Sequence, residues 1–246
     1  MKFLVCISKA PDTTSRIAFT EGDTKFDANG VQFIVNPYDE WYALVRALEL
    51  KEQHSGTVTT ITVGEADCDP VIRKALAIGA DDAVRIDANP VDALHTASLI
   101  ANHAKEGGYD VVLCGKETID HNGSVVGGML AEMLDAAYIS LATSLDIDGG
   151  KALAKREASG GLESVAATLP VVVSAAKGMA EQRIPNMRGI MAARTKPLNV
   201  VSAEGGSKGT SVAKFELPPA KGDCKMVSPD DAEELVRLLR EEAKVL

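Results

Sequence analysis

The sequence has few of the residues that build disulfide frameworks, zinc sites or transmembrane helices. Its four cysteines lie far apart among 246 residues, with no CxxC pair and no histidine pair at zinc-ligand spacing. This spacing excludes a disulfide scaffold, predicts no metal site, and favours reduced thiols in a cytosol. Apolar runs such as Leu169 to Ala176 stop far short of the roughly 20 residues that cross a bilayer. We therefore expect no membrane insertion.

Secretion signals and an excess of positive charge are also lacking. The apolar segment Phe3 to Ile7 is too short for a signal-peptide core, so we expect a cytoplasmic location. The net charge of −9 opposes binding to a phosphate backbone, and nucleic acid is not an expected partner. A local basic excess between residues 177 and 196 is either a solvated surface or a face for an acidic partner.

Catalytic constellations are missing as well. The chain has no GxSxG, no HExxH, and no Ser or Cys paired with His in a known motif. His54, His95 and His103 fall in or beside helical patterns, where solvated or structural roles are expected. His121 differs only because it lies in a glycine-rich loop. The sequence therefore predicts no catalytic residue, and a binding function is favoured over an enzyme.

What the sequence does contain is an alternation of short β-branched runs with longer helical patterns. Such an alternation predicts an α/β fold with a mostly parallel, doubly wound sheet, whose ligands bind at the carboxyl ends of the strands. The predicted strands are Phe3 to Ser8, Thr57 to Val63, Ala83 to Ile86, Asp110 to Cys114 and Pro170 to Ser174. The predicted helices are Pro37 to Gln53 with Asn36 as N-cap, Pro70 to Ile78, Val91 to Ala104 and Val125 to Leu134.

After Tyr138 the pattern changes. Glycine-rich turns at Gly149-Gly150 and Gly160-Gly161 predict an antiparallel extension of hairpins. Residues 203–227 carry several Gly and Pro residues and little periodicity, which predicts an extended arm, and Ser228 is the expected cap of a terminal amphipathic helix. We predict a main α/β domain over residues 1–200 and an arm with a helix over residues 201–246. The helix packs either on its own domain or on a partner chain.

A candidate ligand loop runs from Cys114 to Gly128, between a strand end and a helix start. Backbone donors at such a junction favour an anion. The loop is not a P-loop, because Asp110 stands where the first glycine is needed and Glu117 follows Lys116. The pattern GxGxxG is absent too. By pattern alone, a glycine-rich structural turn explains the loop as well as a phosphate site does.

Five ordered blocks together resemble the beta subunit of electron transfer flavoproteins. They run from Asn36 to Glu52, Arg73 to Asp81, Gly115 to Gly127, Gly160 to Val173 and Glu181 to Arg194. The resemblance implies an adenine-nucleotide alpha-hydrolase-like fold and a heterodimer in a bacterial cytoplasm, in which the alpha subunit holds the redox-active FAD and the beta subunit binds structural AMP. It also implies dehydrogenases, such as acyl-CoA dehydrogenases, as electron donors, and a quinone oxidoreductase on the way to the respiratory chain as acceptor.

The same resemblance implies which residues form the sites. Tyr38 takes the aromatic position that approaches the alpha subunit's flavin, and Met187 takes the anchor position of the segment that docks on dehydrogenases, where the family often has Leu. The dehydrogenase-recognition residues are Ile184, Pro185, Asn186, Met187 and Arg188. The implied nucleotide contacts are Cys6, Asn36, Pro37, Tyr38, Asp39, Val63, Gly115, Lys116, Glu117, Thr118, Ile119, Asp120, His121, Asn122, Gly123, Ser124, Val125 and Val126.

Departures from the family pattern keep alternatives open. Val125-Val126 stands where AMP-type members have Gln-Thr, so one phosphate-binding hydroxyl is missing, and Ser124 can substitute for it. Electron-bifurcating members, which hold a second FAD in this site, also end the loop in Val-Gly, but His121-Asn122-Gly123 replaces their Gly-Asp-Thr. We favour AMP. A universal-stress-type nucleotide-binding protein and a nucleotide-hydrolysing enzyme are the remaining rivals, although neither explains residues 181–194 or the arm.

Overall fold

Hydrogen-bonded β-strands form the centre of the computed structural model, which describes every residue from Met1 to Leu246. The main sheet has nine strands: β1 Lys2–Cys6, β6 Thr57–Val63, β7 Asp82–Asp87, β8 Val111–Gly115, β9 Ala137–Asp148, β10 Lys151–Ala158, β11 Gly161–Thr168, β12 Val171–Ala175 and β13 Leu198–Ser202. Two small sheets pair β2 Lys9–Pro11 with β5 Phe33–Val35, and β3 Phe19–Thr20 with β4 Lys25–Phe26. The helices are α1 Asp39–His54, α2 Asp69–Ile78, α3 Ala93–Gly107, α4 Val126–Met133, α5 Met187–Ala193 and α6 Ala232–Glu241.

The strand order is β11-β10-β9-β12-β8-β1-β6-β7-β13. Neighbours from β9 to β13 in this order are parallel, while β9, β10 and β11 form antiparallel hairpins. The predicted parallel sheet and its antiparallel extension are therefore confirmed. The extension is continuous with the main sheet, because β9 pairs with β12.

Helices cover both faces of the sheet, as a doubly wound fold requires. Along β1, Phe3 and Val5 point to a core shared with α1 and α2, whereas Leu4 and Cys6 point to a second core shared with α3 and α4. This alternation is the period of two that a strand imposes on its side chains. Both faces are buried, which explains why β1 and β8 read as continuous apolar runs.

Two predicted helix caps are wrong. Asn36 does not cap α1, which begins at Asp39 after Tyr38 and has no side-chain cap; the Asn36 side chain binds another part of the chain instead. The cap of α6 is Asp231, whose carboxylate accepts from the Glu234 backbone N–H at 3.0 Å, and not Ser228. Both predictions placed the helix start two or three residues early, because each took the first favourable capping residue before a helical pattern as the cap.

Several elements were not predicted from the pattern. Strand β13 is a sheet edge whose residues are all at least partly exposed, and the strands between residues 9 and 35 have only two or three residues each. Helix α5 has seven residues, too few to show a helical period. None of the six helices combines the length and apolar character needed to cross a bilayer.

The arm over residues 203–231 contains no strand or helix, and it is held on the domain by hydrogen bonds to α3 and its cap and by contacts near Phe215. Asp92, which caps α3, accepts hydrogen bonds from the backbone N–H groups of Gly209 and Thr210 at 2.7 and 2.6 Å. Farther on, the Phe215 ring stacks on Phe19 with centroids 4.9 Å apart. The division at residue 200 remains a prediction, and β13 continues two residues beyond it.

Candidate nucleotide-binding site

Three adjacent strands end together at the carboxyl edge of the sheet. Their last residues are Cys6 in β1, Val63 in β6 and Gly115 in β8. Gly115 has to be a glycine, because a Cβ there would lie 2.9 Å from Glu40 Cγ and 3.0 Å from Asp39 Cβ. The close approach packs the start of α1 against the end of β8. It is at this edge that a doubly wound sheet binds its ligands.

Asn36 joins the segment before α1 to the loop after β8. Its side-chain Nδ2 donates to the Glu117 carbonyl at 3.1 Å, and its Oδ1 accepts from the Ile119 backbone N–H at 2.9 Å. Asn36 is fully buried, and both ends of its amide are satisfied. Two segments that are distant in sequence, residues 36–39 and residues 115–126, are therefore fixed together. We call residues 115–126 the nucleotide loop.

The nucleotide loop is closed on itself by Glu117. The Glu117 carboxylate accepts from Ser124 Oγ at 2.9 Å and pairs with Lys116 Nζ at 3.2 Å. These partners hold the pKa of Glu117 below its usual value, with the Ser124 hydrogen bond as the largest cause. Asn122 and Ser124 have positive φ, at 47° and 54°, so the loop turns sharply before α4 begins. The loop's own side chains and backbone therefore stabilise this turn.

A cleft of about 270 Å³ opens between the nucleotide loop and the start of α1. Its lining residues are Pro37, Tyr38, Asp39, Tyr42, Lys116, Glu117, Ile119, Asn122 and Lys177. Sequence reasoning missed two of them. Tyr42 lies one helical turn after Tyr38, a spacing that the pattern offered, whereas Lys177 comes from the segment after β12 and only the strand order brings it here.

Other implied contacts do not line this cleft. Asn36 and Gly115 lie behind its wall, where they position it. His121 points to solvent with 83% of its side chain exposed and lies 3.7 Å from the Asp120 carboxylate. The remaining implied contacts that are not among the lining residues are Cys6, Val63, Thr118, Asp120, Gly123, Ser124, Val125 and Val126.

Tyr38 has a strained backbone at the edge of the cleft. Its φ of 68° and ψ of −104° lie outside the regions that a bulky residue normally adopts. The residue is 55% exposed, and its carbonyl accepts the first hydrogen bond of α1, from Tyr42 N–H at 2.8 Å. Strain of this kind costs about 1 to 3 kcal/mol and is concentrated at functional sites. The unusual backbone presents an aromatic ring to solvent beside the cleft.

Carboxyl groups and lysines share the site. Burial raises the pKa of Asp39 to about 6, although Lys116 opposes this shift. Glu117 and Asp39 in turn raise the pKa of Lys116, so its ammonium stays charged. Nowhere in the chain do three or more His, Cys, Asp or Glu side chains converge as metal ligands would. The chemistry that the site offers is therefore hydrogen bonding and charge for a small polar ligand.

The recognition segment, Ile184 to Arg188, lies on another surface. Ile184 is 82% exposed and Met187 is 74% exposed. Its last two residues begin α5, which Asn186 caps by accepting from the Gly189 N–H at 2.9 Å. A second cleft of about 320 Å³ separates the segment from the end of α2. The segment is an exposed apolar knob held in place by a helix cap.

Comparison with known proteins shows which family this chain belongs to. The family model described as "Electron transfer flavoprotein domain" matches residues 23–205. A protein of Bacillus subtilis named "Electron transfer flavoprotein subunit beta" is 36% identical over 261 residues, covering 100% of both chains. The chain belongs to the family of electron transfer flavoprotein beta subunits. Proteins of the same name from Syntrophomonas wolfei and Sus scrofa are 34% and 31% identical, over 90% and 100% of this chain and 87% and 99% of theirs.

Family membership confirms the resemblance drawn from the five sequence blocks, and with it a role in electron transport by a flavoprotein. It also removes the two rivals from other protein classes, since neither a universal-stress-type protein nor a nucleotide-hydrolysing enzyme belongs to this family. The alignments with the Bacillus and pig proteins run through the whole chain, so they include the arm and α6, which lie beyond the family model.

Proposed function

We propose that this chain is the beta subunit of a heterodimeric electron transfer flavoprotein and that it holds structural AMP in the cleft beside the nucleotide loop. The subunit is a carrier component without catalytic residues of its own. The observation that carries the proposal is the Asn36 clamp, which forms a closed loop and a cleft at the carboxyl edge of the sheet. Four free cysteines, three of them buried, support action in a reducing cytoplasm.

AMP is favoured over a second FAD by the size of the cleft. A volume of about 270 Å³ lies at the small end of ligand sites and suits a mononucleotide better than a dinucleotide. Lys116 and Lys177 both line it and supply positive charge for a phosphate. The Val125-Val126 sequence is the feature that favours the bifurcating alternative. In that case FAD would need to extend beyond the cleft.

The redox-active FAD is proposed to reside mainly in an alpha subunit, which docks on exposed apolar surfaces of this chain. Helix α6 presents Leu235 and Val236 with 47% and 41% exposure, and the antiparallel extension presents Leu162 with 68% exposure. A helix on an arm with exposed leucines is typical of a segment that packs on another chain. The exposed Tyr38 ring is proposed to approach the flavin at this interface.

Dehydrogenases, with acyl-CoA dehydrogenases as one class, are proposed to dock on the recognition segment and to deliver electrons to that FAD. A quinone oxidoreductase then accepts the electrons on the way to the respiratory chain. Support comes from the exposed knob formed by Ile184 and Met187, which is flanked by Arg183 and Arg188. Such a surface fits an apolar pocket with an acidic rim.

One experiment tests the nucleotide and the partner together. The chain is co-expressed with its alpha-type partner, the purified complex is denatured, and the released nucleotides are identified by mass. One FAD and one AMP are expected. Two FAD would replace the AMP proposal with the bifurcating one, and a chain that purifies as a monomer without nucleotide would refute both.

A pair of variants assigns the AMP to this cleft. Asn36→Ala removes both bonds of the clamp and should release AMP while FAD stays bound. Asn102→Ala is the matched control, because Asn102 donates one exposed bond to the Glu204 carbonyl at 3.0 Å, on the arm and away from the cleft. It should keep both nucleotides. If Asn36→Ala retains AMP, the two hydrogen bonds of Asn36 are not needed for AMP binding.

A further inference from the structure

Glu40 is a buried carboxyl directly beneath the nucleotide site, and neither the proposed AMP contacts nor the sequence patterns assigned it a role. Only 5% of the residue is exposed. Its carboxyl oxygens are hydrogen-bonded to Ser8, at 2.8 Å to the backbone N–H and 2.9 Å to Oγ. No Lys, Arg or His forms an ion pair with it. A buried carboxyl without a cation is costly in its charged form.

The position of Glu40 links three parts of the site. Ser8 lies just beyond the end of β1, Gly115 ends β8 within contact of the Glu40 side chain, and Asp39, the next residue on α1, lines the cleft. The bonds to Ser8 therefore hold the start of α1 against the strand ends. Any shift of Glu40 would move the cleft wall and the Gly115 end of the nucleotide loop together.

The ionisable groups that face Glu40 supply no positive charge. Asp39 from α1 and Asp120 from the nucleotide loop are carboxyl groups, and the thiols of Cys6 from β1 and Cys114 from β8 are kept neutral by burial. Lys116, a cation at this edge, interacts with Asp39 and Glu117 instead. Burial is the largest cause that raises the pKa of Glu40, and Asp120 and Asp39 add to it while the Ser8 bonds oppose it; the resulting pKa is about 8.

Ser8 donates its backbone N–H and its hydroxyl to the Glu40 carboxyl, and these two bonds oppose protonation, but burial outweighs them. In the neutral state one oxygen can still accept from the Ser8 N–H, while the protonated oxygen donates to Ser8 Oγ once the hydroxyl hydrogen has turned away. A phosphate placed in the cleft would add further negative charge near Glu40. Both the protein and the nucleotide therefore favour the protonated state.

We propose that Glu40 is a positioning residue that holds a proton in the AMP-bound state, so that AMP binding requires the neutral carboxyl and is lost when this proton leaves. This inference rests on the proposed function, since it assumes that AMP occupies the cleft. By linkage, AMP affinity should be constant below the pKa of Glu40 and should fall about ten-fold per pH unit above it. Above pH 8, binding should take up about one proton per AMP.

The pH range from 7 to 9.5 isolates this group. The phosphate of AMP loses its second proton near pH 6 and stays dianionic across the range. Asp39, with a pKa of about 6, is already ionised at its lower end. Burial raises the pKa values of Cys6 and Cys114 far above the upper end, and that of Lys116 lies above its usual value. Glu40 is the group of this cluster that changes charge within the range.

The test is calorimetric titration of AMP into the heterodimer depleted of its nucleotide, in buffers of different ionisation enthalpy. Glu40→Gln mimics the neutral carboxyl, because the amide oxygen accepts from Ser8 N–H and the amide nitrogen donates to Ser8 Oγ. The variant should bind AMP at pH 7 like the wild type and show no loss of affinity up to pH 9.5. Glu49→Gln, on the same helix but paired with Arg46, should keep the wild-type pH dependence.

A pH dependence in Glu40→Gln equal to that of the wild type would overturn the inference while leaving the AMP site intact. If the variant does not fold, the wild type still decides: uptake of about one proton at pH 9 and none at pH 7 is expected, and no uptake at either pH contradicts the proposal. A wild-type complex that binds no AMP at pH 7 would instead refute the proposed function.

Discussion

Truncation of Met187 tests whether this side chain is a docking anchor for a partner or part of the subunit's own core. Because 74% of Met187 is exposed, its side chain contributes little to the folded subunit. Burying a methionine side chain completely stabilises a structure by about 1.5 to 3 kcal/mol, so about three quarters of this, roughly 1 to 2 kcal/mol, remains to be gained on docking. Met187→Ala should therefore weaken dehydrogenase docking by roughly five- to thirty-fold.

The assay combines flavin content, melting temperature and the rate at which an electron-donating dehydrogenase reduces the heterodimer at subsaturating concentration. Met187→Ala should show normal flavin and melting with a rate lowered by about the same factor. Met179→Ala is the matched control, because Met179 is only 4% exposed and belongs to the core. It should lose about 2 to 5 kcal/mol of stability. A lowered melting temperature with an undiminished rate for Met187→Ala would refute the reasoning.

Three further changes test the site and the arm. Gly115→Ala should cost about 1 to 3 kcal/mol of stability through overpacking, whereas Gly128→Ala, with its nearest contact at 3.6 Å, should not lower the melting temperature; equal melting of the two would contradict the packing argument. Ser124→Ala removes the bond to Glu117 and should raise the AMP dissociation constant roughly two- to twelve-fold in equilibrium dialysis, so unchanged binding would exclude that bond from the site. The pKa of Asp92 is lowered to about 2, chiefly by the hydrogen bond from the His95 N–H and then by those from the arm N–H groups. Asp92 should therefore hold the arm fully above about pH 4 and release it as the pH falls towards 2. Asp92→Ala should expose the arm to limited proteolysis at pH 7. If the variant's arm is cleaved at the wild-type rate, the hydrogen bonds to Asp92 do not hold the arm on the domain.

The central sheet was predictable because its strands are buried on both faces. Continuous apolar runs such as those of β1 and β8, separated by helical patterns, identify a parallel sheet without knowledge of tertiary contacts. Glycine pairs at 149–150 and 160–161 likewise identified both hairpins of the extension. The pattern could not reveal β13, because an edge strand with partly exposed residues lacks both a buried run and a clear alternation.

For the site, sequence blocks indicated the segments but not the bonds between them. Asn36 has the residue type, the following proline and the position of an N-cap, and yet its amide is used to clamp Glu117 and Ile119, more than 80 positions along the chain. Lys177 and Glu40 were missed for a related reason. Lys177 reaches the cleft only because of the order of the strands in the sheet. The properties of Glu40 depend on its burial. Neither the strand order nor the burial of a single residue can be read from a local sequence pattern.

The attachment of the arm has a consequence for the order of assembly. Stacking of Phe215 fixes the arm on the domain, so α6, which begins at Ala232, is connected by a segment of only about 16 residues. A flexible chain of that length spans roughly 20 to 24 Å. Once another part of the subunit has docked on a partner, α6 searches for its own site at an effective concentration of millimolar order. The intrinsic affinity of α6 for its site can therefore be low, and α6 still binds as the last step of assembly, after the rest of the complex has formed.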